Sequence, residues 1–167
     1  MSENTAQDLF DILKTKQRVN SFIRLYDVLE GFTHHVGNID MKGILSSVYG
    51  NNIPDWVRNI NTYVPGFDSG KLDSSNMEIL KSVKGLIDKS VAVKIELPFE
   101  PSLGFVDEVI KELRNNYDSM NFIIDVDVRE GSEPGAMFYV QGKIIDLTIR
   151  KRVLNYLSSQ DVINRYL

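Results

Sequence analysis

Val91-Ala92-Val93-Lys94-Ile95-Glu96-Leu97 is the stretch where the chain changes character. Apolar side chains fall on every second position, with Ala92, Lys94 and Glu96 between them. Successive side chains of an extended chain point to opposite faces, so this alternation predicts a strand buried on one side. The apolar stretches before it repeat at three- and four-residue steps instead, the period of helices.

Working forward, Pro98 and Pro101 stop the strand, and Ser102 is placed to cap a helix carrying Val106, Val109, Ile110, Leu113 and Tyr117 on one stripe. A second strand follows, with Phe122, Ile124, Val126 and Val128 on one face and Asp125, Asp127 and Arg129 on the other. Glu130-Gly131-Ser132 turns the chain. Ala136 to Val140 and Lys143 to Ile145 then read as a hairpin joined through Gln141-Gly142. Thr148 is placed to cap a terminal helix bearing Ile149, Val153, Leu154 and Leu157.

Working backward, residues 5–36 read as helix, in one piece or two. Val19, Phe22, Ile23, Tyr26 and Leu29 form its stripe, and Gly31 is a break. A short helix from Met41 to Tyr49 closes at Gly50-Asn51-Asn52. Another starts at Pro54, with Val57, Ile60 and Tyr63 facing inward. Residues 65–76, rich in Gly, Asp and Ser, read as a linker. Ser74 or Ser75 would cap a helix from Met77 to about Lys89, with Ile79, Leu80, Val83 and Ile87 as its apolar face. The expected fold class is therefore α+β: a helical segment or bundle over 1–89, then a small β-α-β-β-α domain over 90–167.

A net charge of −4 creates no general attraction to nucleic acid or anionic lipid. Without cysteine there is no disulfide, thiolate nucleophile or cysteine metal site, which fits a reducing compartment. Met1 to Leu13 is polar and acidic, unlike a secretory signal. Apolar runs fall far short of the roughly 20 residues that span a bilayer, so no direct membrane insertion is expected.

Chemistry-bearing clusters are few. His34-His35 are adjacent and diverge on a helix, a poor geometry for sharing a metal. Asp125 and Asp127 share a strand face at a spacing paired carboxylates can use, but the solvent side of an amphipathic strand needs charges anyway. Gly66-Phe67-Asp68-Ser69-Gly70-Lys71 lacks the strand, glycine spacing and trailing Ser or Thr of a phosphate loop. Trp56 and Tyr63 suit a core better than a ligand platform. Lys143, Arg150, Lys151 and Arg152 form a basic cluster able to touch phosphates, yet no aromatics interleave on one strand face for base stacking. There is no Gly-x-Ser-x-Gly elbow. No catalytic residue, cofactor site or metal site is expected.

Pro134-Gly135-Ala136-Met137-Phe138-Tyr139-Val140-Gln141-Gly142-Lys143-Ile144-Ile145-Asp146-Leu147-Thr148-Ile149-Arg150-Lys151-Arg152-Val153-Leu154 resembles the C-terminal signature of the ATP synthase delta subunit family. The mitochondrial counterpart is the oligomycin-sensitivity-conferring protein. Gly135, Gly142, Asp146, Thr148, Arg150 and Leu154 carry the match without a gap. The sequence departs from the family at Pro134, where a first glycine is expected, at the Gln-Gly turn, at Leu147, and at Thr148 for Ser. Stalk subunits of vacuolar and archaeal rotary ATPases end similarly.

The resemblance implies a six-helix N-terminal bundle and a C-terminal domain over about 90–157, with no catalysis and no cofactor. It implies a stator role in an F-type ATP synthase, joining the catalytic head to the peripheral stalk. The bundle would grip the alpha subunit N-termini at helices bearing Val19, Phe22, Ile23, Tyr26 and Leu29. The C-terminal domain would meet peripheral-stalk subunits through helix 148–157 and the tail, including Tyr166 and Leu167. The protein would be membrane-associated only through the complex, on the bacterial cytoplasmic face or the matrix side of the mitochondrial inner membrane. The alternatives are a nucleic-acid-binding α/β module, another protein-interaction adaptor, or an enzyme built around Asp125 and Asp127; the acidity speaks against nucleic acid.

Overall fold

The computed structural model describes residues 2–32, 39–117 and 120–151, with side chains from Asn4 onward. The fold is mixed α+β, and the chain divides into two compact units, Met1–Ser90 and Val91–Leu167. His34, His35, Arg152, Leu154, Tyr166 and Leu167 lie outside the described residues.

The first unit is helical: α1 (Ser2–Leu13), α2 (Lys16–Glu30), α3 (Met41–Tyr49), α4 (Asp55–Arg58), a 3-10 turn (Ile60–Thr62) and α5 (Ser74–Asp88). The long apolar pattern after residue 5 is two helices, and they part at Thr15 rather than only at Gly31. Thr15 is extended, and its Oγ1 accepts from the Arg18 N–H at 3.4 Å, satisfying an orphan donor of the next helix. Leu9, Phe10 and Leu13 of α1 are buried, and α1 packs chiefly along α5, where Leu80 and Val83 are also buried.

Residues 65–76 are not a linker. Val64 and Phe67 are fully buried, and the Lys71 N–H returns to the Gly66 carbonyl at 3.1 Å. The buried Asn76 amide donates to the carbonyls of Pro65 (2.9 Å) and Lys71 (3.2 Å). Polar composition here serves a packed loop whose backbone groups are satisfied internally. The α5 cap is accordingly Asp73, accepting from the Asn76 N–H at 2.8 Å, so the helix starts three residues before Met77. Tyr63 is only half-buried; Val64 takes the interior place beside Val57 and Ile60.

The second unit has β1 (Val91–Leu97), α6 (Leu103–Asn116), β2 (Phe122–Val128), β3 (Met137–Val140) and β4 (Lys143–Asp146). The sheet order is β2-β1-β3-β4. β1 runs parallel to β2, with Ile95 opposite Val126, and antiparallel to β3, with Ile95 opposite Phe138. Ser102 caps α6 by accepting from the Phe105 N–H at 3.2 Å. Val106 and Ile110 pack on Val93, Ile95, Leu97, Phe122 and Ile124, so the core lies on one side of the sheet. Tyr117, expected on the buried stripe, is 51% exposed because the helix ends before it; its ring meets Phe122 edge-on at 6.3 Å.

Candidate functional site

Alternation along β1 sends Lys94 and Glu96 to the sheet face opposite α6, and the pairing register sets Lys94 beside Asp125 and Glu96 beside Asp127. On β3, Met137 and Tyr139 reach the same face. Glu96, 8% exposed, is the charged side chain at the centre. It meets Arg129 Nη2 at 2.7 Å and Lys94 Nζ at 2.9 Å, and the Tyr139 hydroxyl donates to it at 3.0 Å. Asp127 takes Lys94 at 2.9 Å and Arg129 at 3.3 Å, and the Lys94 ammonium lies 5.6 Å from the Tyr139 ring centroid.

Two cations and two carboxylates make this set neutral. Hydrogen bonds from Lys94 hold the carboxyls of Glu96 and Asp127 below their usual range. Bonding to Asp127 and Glu96 raises Lys94, and the bond to Glu96 raises Tyr139. Each of these shifts moves a group away from neutrality, the opposite of what proton transfer at neutral pH needs. Asp127 is thus held by both Lys94 and Arg129.

Beside this network, at the carboxyl ends of the parallel strands, lies a cleft of about 380 Å³. Its walls include Glu96, Arg129, Gly135, Asp146, Thr148 and Arg150, so four of the six signature residues gather at one corner, while Gly142 sits at the hairpin turn. Gly135 has φ 127°, and a Cβ there would sit 2.5 Å from Thr148 Cα and 2.7 Å from the Leu147 carbonyl oxygen. Only glycine lets the two backbones touch. The Leu147 N–H donates to Ala136 and the Ile149 N–H to Pro134, both at 2.9 Å, locking the chain on either side of that contact.

Asp146 Oδ1 accepts from the Thr148 N–H (2.9 Å) and hydroxyl (2.7 Å), bonds that hold its carboxyl below the usual range. Thr148 Oγ1 accepts in turn from the Lys151 N–H at 3.4 Å, as a helix cap does. Asp146 and Thr148 thus take up the Thr148 and Lys151 N–H groups at this helix start. Arg150 pairs with Glu133 at 3.3 Å, both largely solvated. Gln141 (φ 48°) and Gly142 (φ 78°) both take the left-handed conformation of a type I′ turn.

The stripe offered as an interface is placed otherwise. Val19, Phe22, Tyr26 and Leu29 are buried within the first unit and Ile23 is half-buried. Phe22 lies 6.0 Å from Trp56, itself a buried core residue. Their helical period is explained by core packing, and a partner would meet other side chains of α2. Gly66 to Lys71 is a loop closed by the Lys71 N–H on the Gly66 carbonyl, with Phe67 buried.

The Glu96 network escaped sequence reasoning. Its signal was present in Lys94 and Glu96 sharing one face of β1, as Asp127 and Arg129 share one face of β2. Among the described residues no helix is long and apolar enough to cross a membrane, and no three metal-ligating side chains converge. Neither protein-family models nor curated proteins give a match to this chain.

Proposed function

We propose that this chain is a non-catalytic peripheral-stalk subunit of the delta type, joining the catalytic head of an F-type ATP synthase to its stator. The observation that carries the reading is the Gly135–Thr148 corner, where the family-like residues of 135–150 each perform a structural task. A helical unit preceding a β-α-β-β unit adds support, since the family has that order. Five α-helices and one 3-10 turn among the described residues of the first unit suit a helical bundle. A stator holds against torque through broad contacts and needs no reactive group.

A nucleic-acid module draws less support. Lys143 stands at the turn end of β4, whereas Arg150 lies past its other end and is paired with Glu133. The test is co-purification. A tagged copy recovered from gently solubilised membranes of its own cells should bring down alpha and beta subunits in stoichiometric amounts. An intact synthase, purified by another subunit and lacking this chain, would end the proposal.

A further inference from the structure

Gln17, Arg18 and Ser21 lie three and four residues apart in the first turns of α2, so they share one face of that helix. Pro54, Asp55 and Trp56 open α4. Together the six residues wall a pocket of about 250 Å³ within the first unit. Trp56 is 2% exposed, yet its indole N–H has no hydrogen-bond partner among the described residues, and neither has the buried Ser21 hydroxyl. A buried polar group without a partner costs free energy, and an indole can only donate. Two such groups, from separate helices on one pocket, are what a bound acceptor would satisfy.

The charges around the pocket define that acceptor. Arg18 Nη1 donates to the Ile12 carbonyl at 2.7 Å, which holds the guanidinium in place, and no carboxylate pairs with it among the described residues. Asp55 stands on the same wall; its ion pair with Arg58 is long, at 3.8 Å, and both side chains are largely solvated. A guanidinium, an indole N–H and a hydroxyl match a carboxylate, whereas Asp55 matches an ammonium. We infer that this pocket binds a small free α-amino acid as its zwitterion. The ligand carboxylate accepts from Trp56, Ser21 and Arg18, and its ammonium donates to Asp55. Both orphan atoms are closed off from solvent, so entry requires a wall to move; Gln17 is exposed, and exposed side chains change rotamer rapidly. The volume lies below the roughly 300–1,000 Å³ of sites for drug-sized ligands, which limits the amino acid to a compact side chain. The inference does not depend on the stator reading.

Trp56 is the one tryptophan of the chain, so a single indole N–H resonance reports on the pocket in heteronuclear NMR of the full protein. Glycine or alanine at millimolar concentration should shift that resonance saturably and slow its exchange with solvent. Acetate should bind more weakly, and glycinamide, which lacks the carboxylate, should not bind. Arg18→Gln should weaken glycine binding about tenfold, the worth of one charge-assisted hydrogen bond. Asp55→Asn, at a solvated position, disturbs no core residue; it should weaken glycine about threefold and strengthen acetate. An indole resonance unmoved by either amino acid would overturn the inference and assign the two orphan groups to trapped water. Acetate binding as tightly as glycine, with both indifferent to Asp55→Asn, would overturn it as well, because the site would then take any small carboxylate.

Discussion

Gly135 lies directly against the backbone of Thr148, too close for any side chain. Gly135→Ala should therefore cost about 3 kcal/mol, from a strained backbone of about 1–3 kcal/mol plus overpacking of similar size. Gly142 also has positive φ but faces open space, so Gly142→Ala should cost only about 1 kcal/mol. Urea denaturation of the two variants measures the difference. Equal losses would mean that the corner is looser than its geometry implies.

Glu96 and Asp127 predict an acid limb to stability. Their folded pKa values lie below the unfolded ones, so the stabilisation is whole above about pH 5 and is lost as pH falls through the lowered values. Glu96→Gln should lower the urea midpoint at neutral pH yet converge on the parent protein in acid. Lys94 and Tyr139 are raised, so their contributions fade only as pH climbs through values above about 10.

Ser21 in α2 has a buried hydroxyl with no hydrogen-bond partner, although its carbonyl accepts from the Tyr49 hydroxyl at 2.8 Å. Ser21→Ala removes the orphan group and leaves that bond intact. A gain of about 1 kcal/mol in unfolding free energy is expected. A loss would show that the hydroxyl has a partner after all, such as a trapped water.

Residues 65–76 should resist proteolysis despite their composition, because Phe67 and Asn76 anchor them. Limited digestion should leave that segment uncut, and Phe67→Ala should cost about 4 kcal/mol. Rapid cleavage there in the parent protein would restore the linker reading.

Much of the second unit is legible in sequence because each signal there is local. The β1 alternation, the Ser102 cap and the Gln141-Gly142 turn each rest on a few neighbouring residues. The first unit hides more. Gly66, Gly70 and Asp68 look like open chain, since nothing local reveals that Phe67 inserts into a core and that the Ile39 N–H donates to the Gly70 carbonyl. The same limit applies at the candidate site. Gly135 and Thr148 stand out as a motif, but that they touch is a tertiary fact. Glu96 reads as an ordinary exposed strand carboxylate until Arg129 and Tyr139 are brought to it from residues 33 and 43 positions downstream. The α2 stripe shows the reverse: its period is plain, while its side chains give no hint whether own core or partner receives them.

The pairing of β1 with both β2 and β3 has a consequence for synthesis on the ribosome. β1 emerges first in its unit, yet its Val93 meets Val140, 47 positions further along the chain. The β1–α6–β2 portion can assemble while one side of β1 still offers unpaired N–H and C=O groups to any neighbouring chain. That window closes only when Met137–Val140 arrives, so a mutation that delays the hairpin should first appear as aggregation of nascent protein rather than as lost native stability.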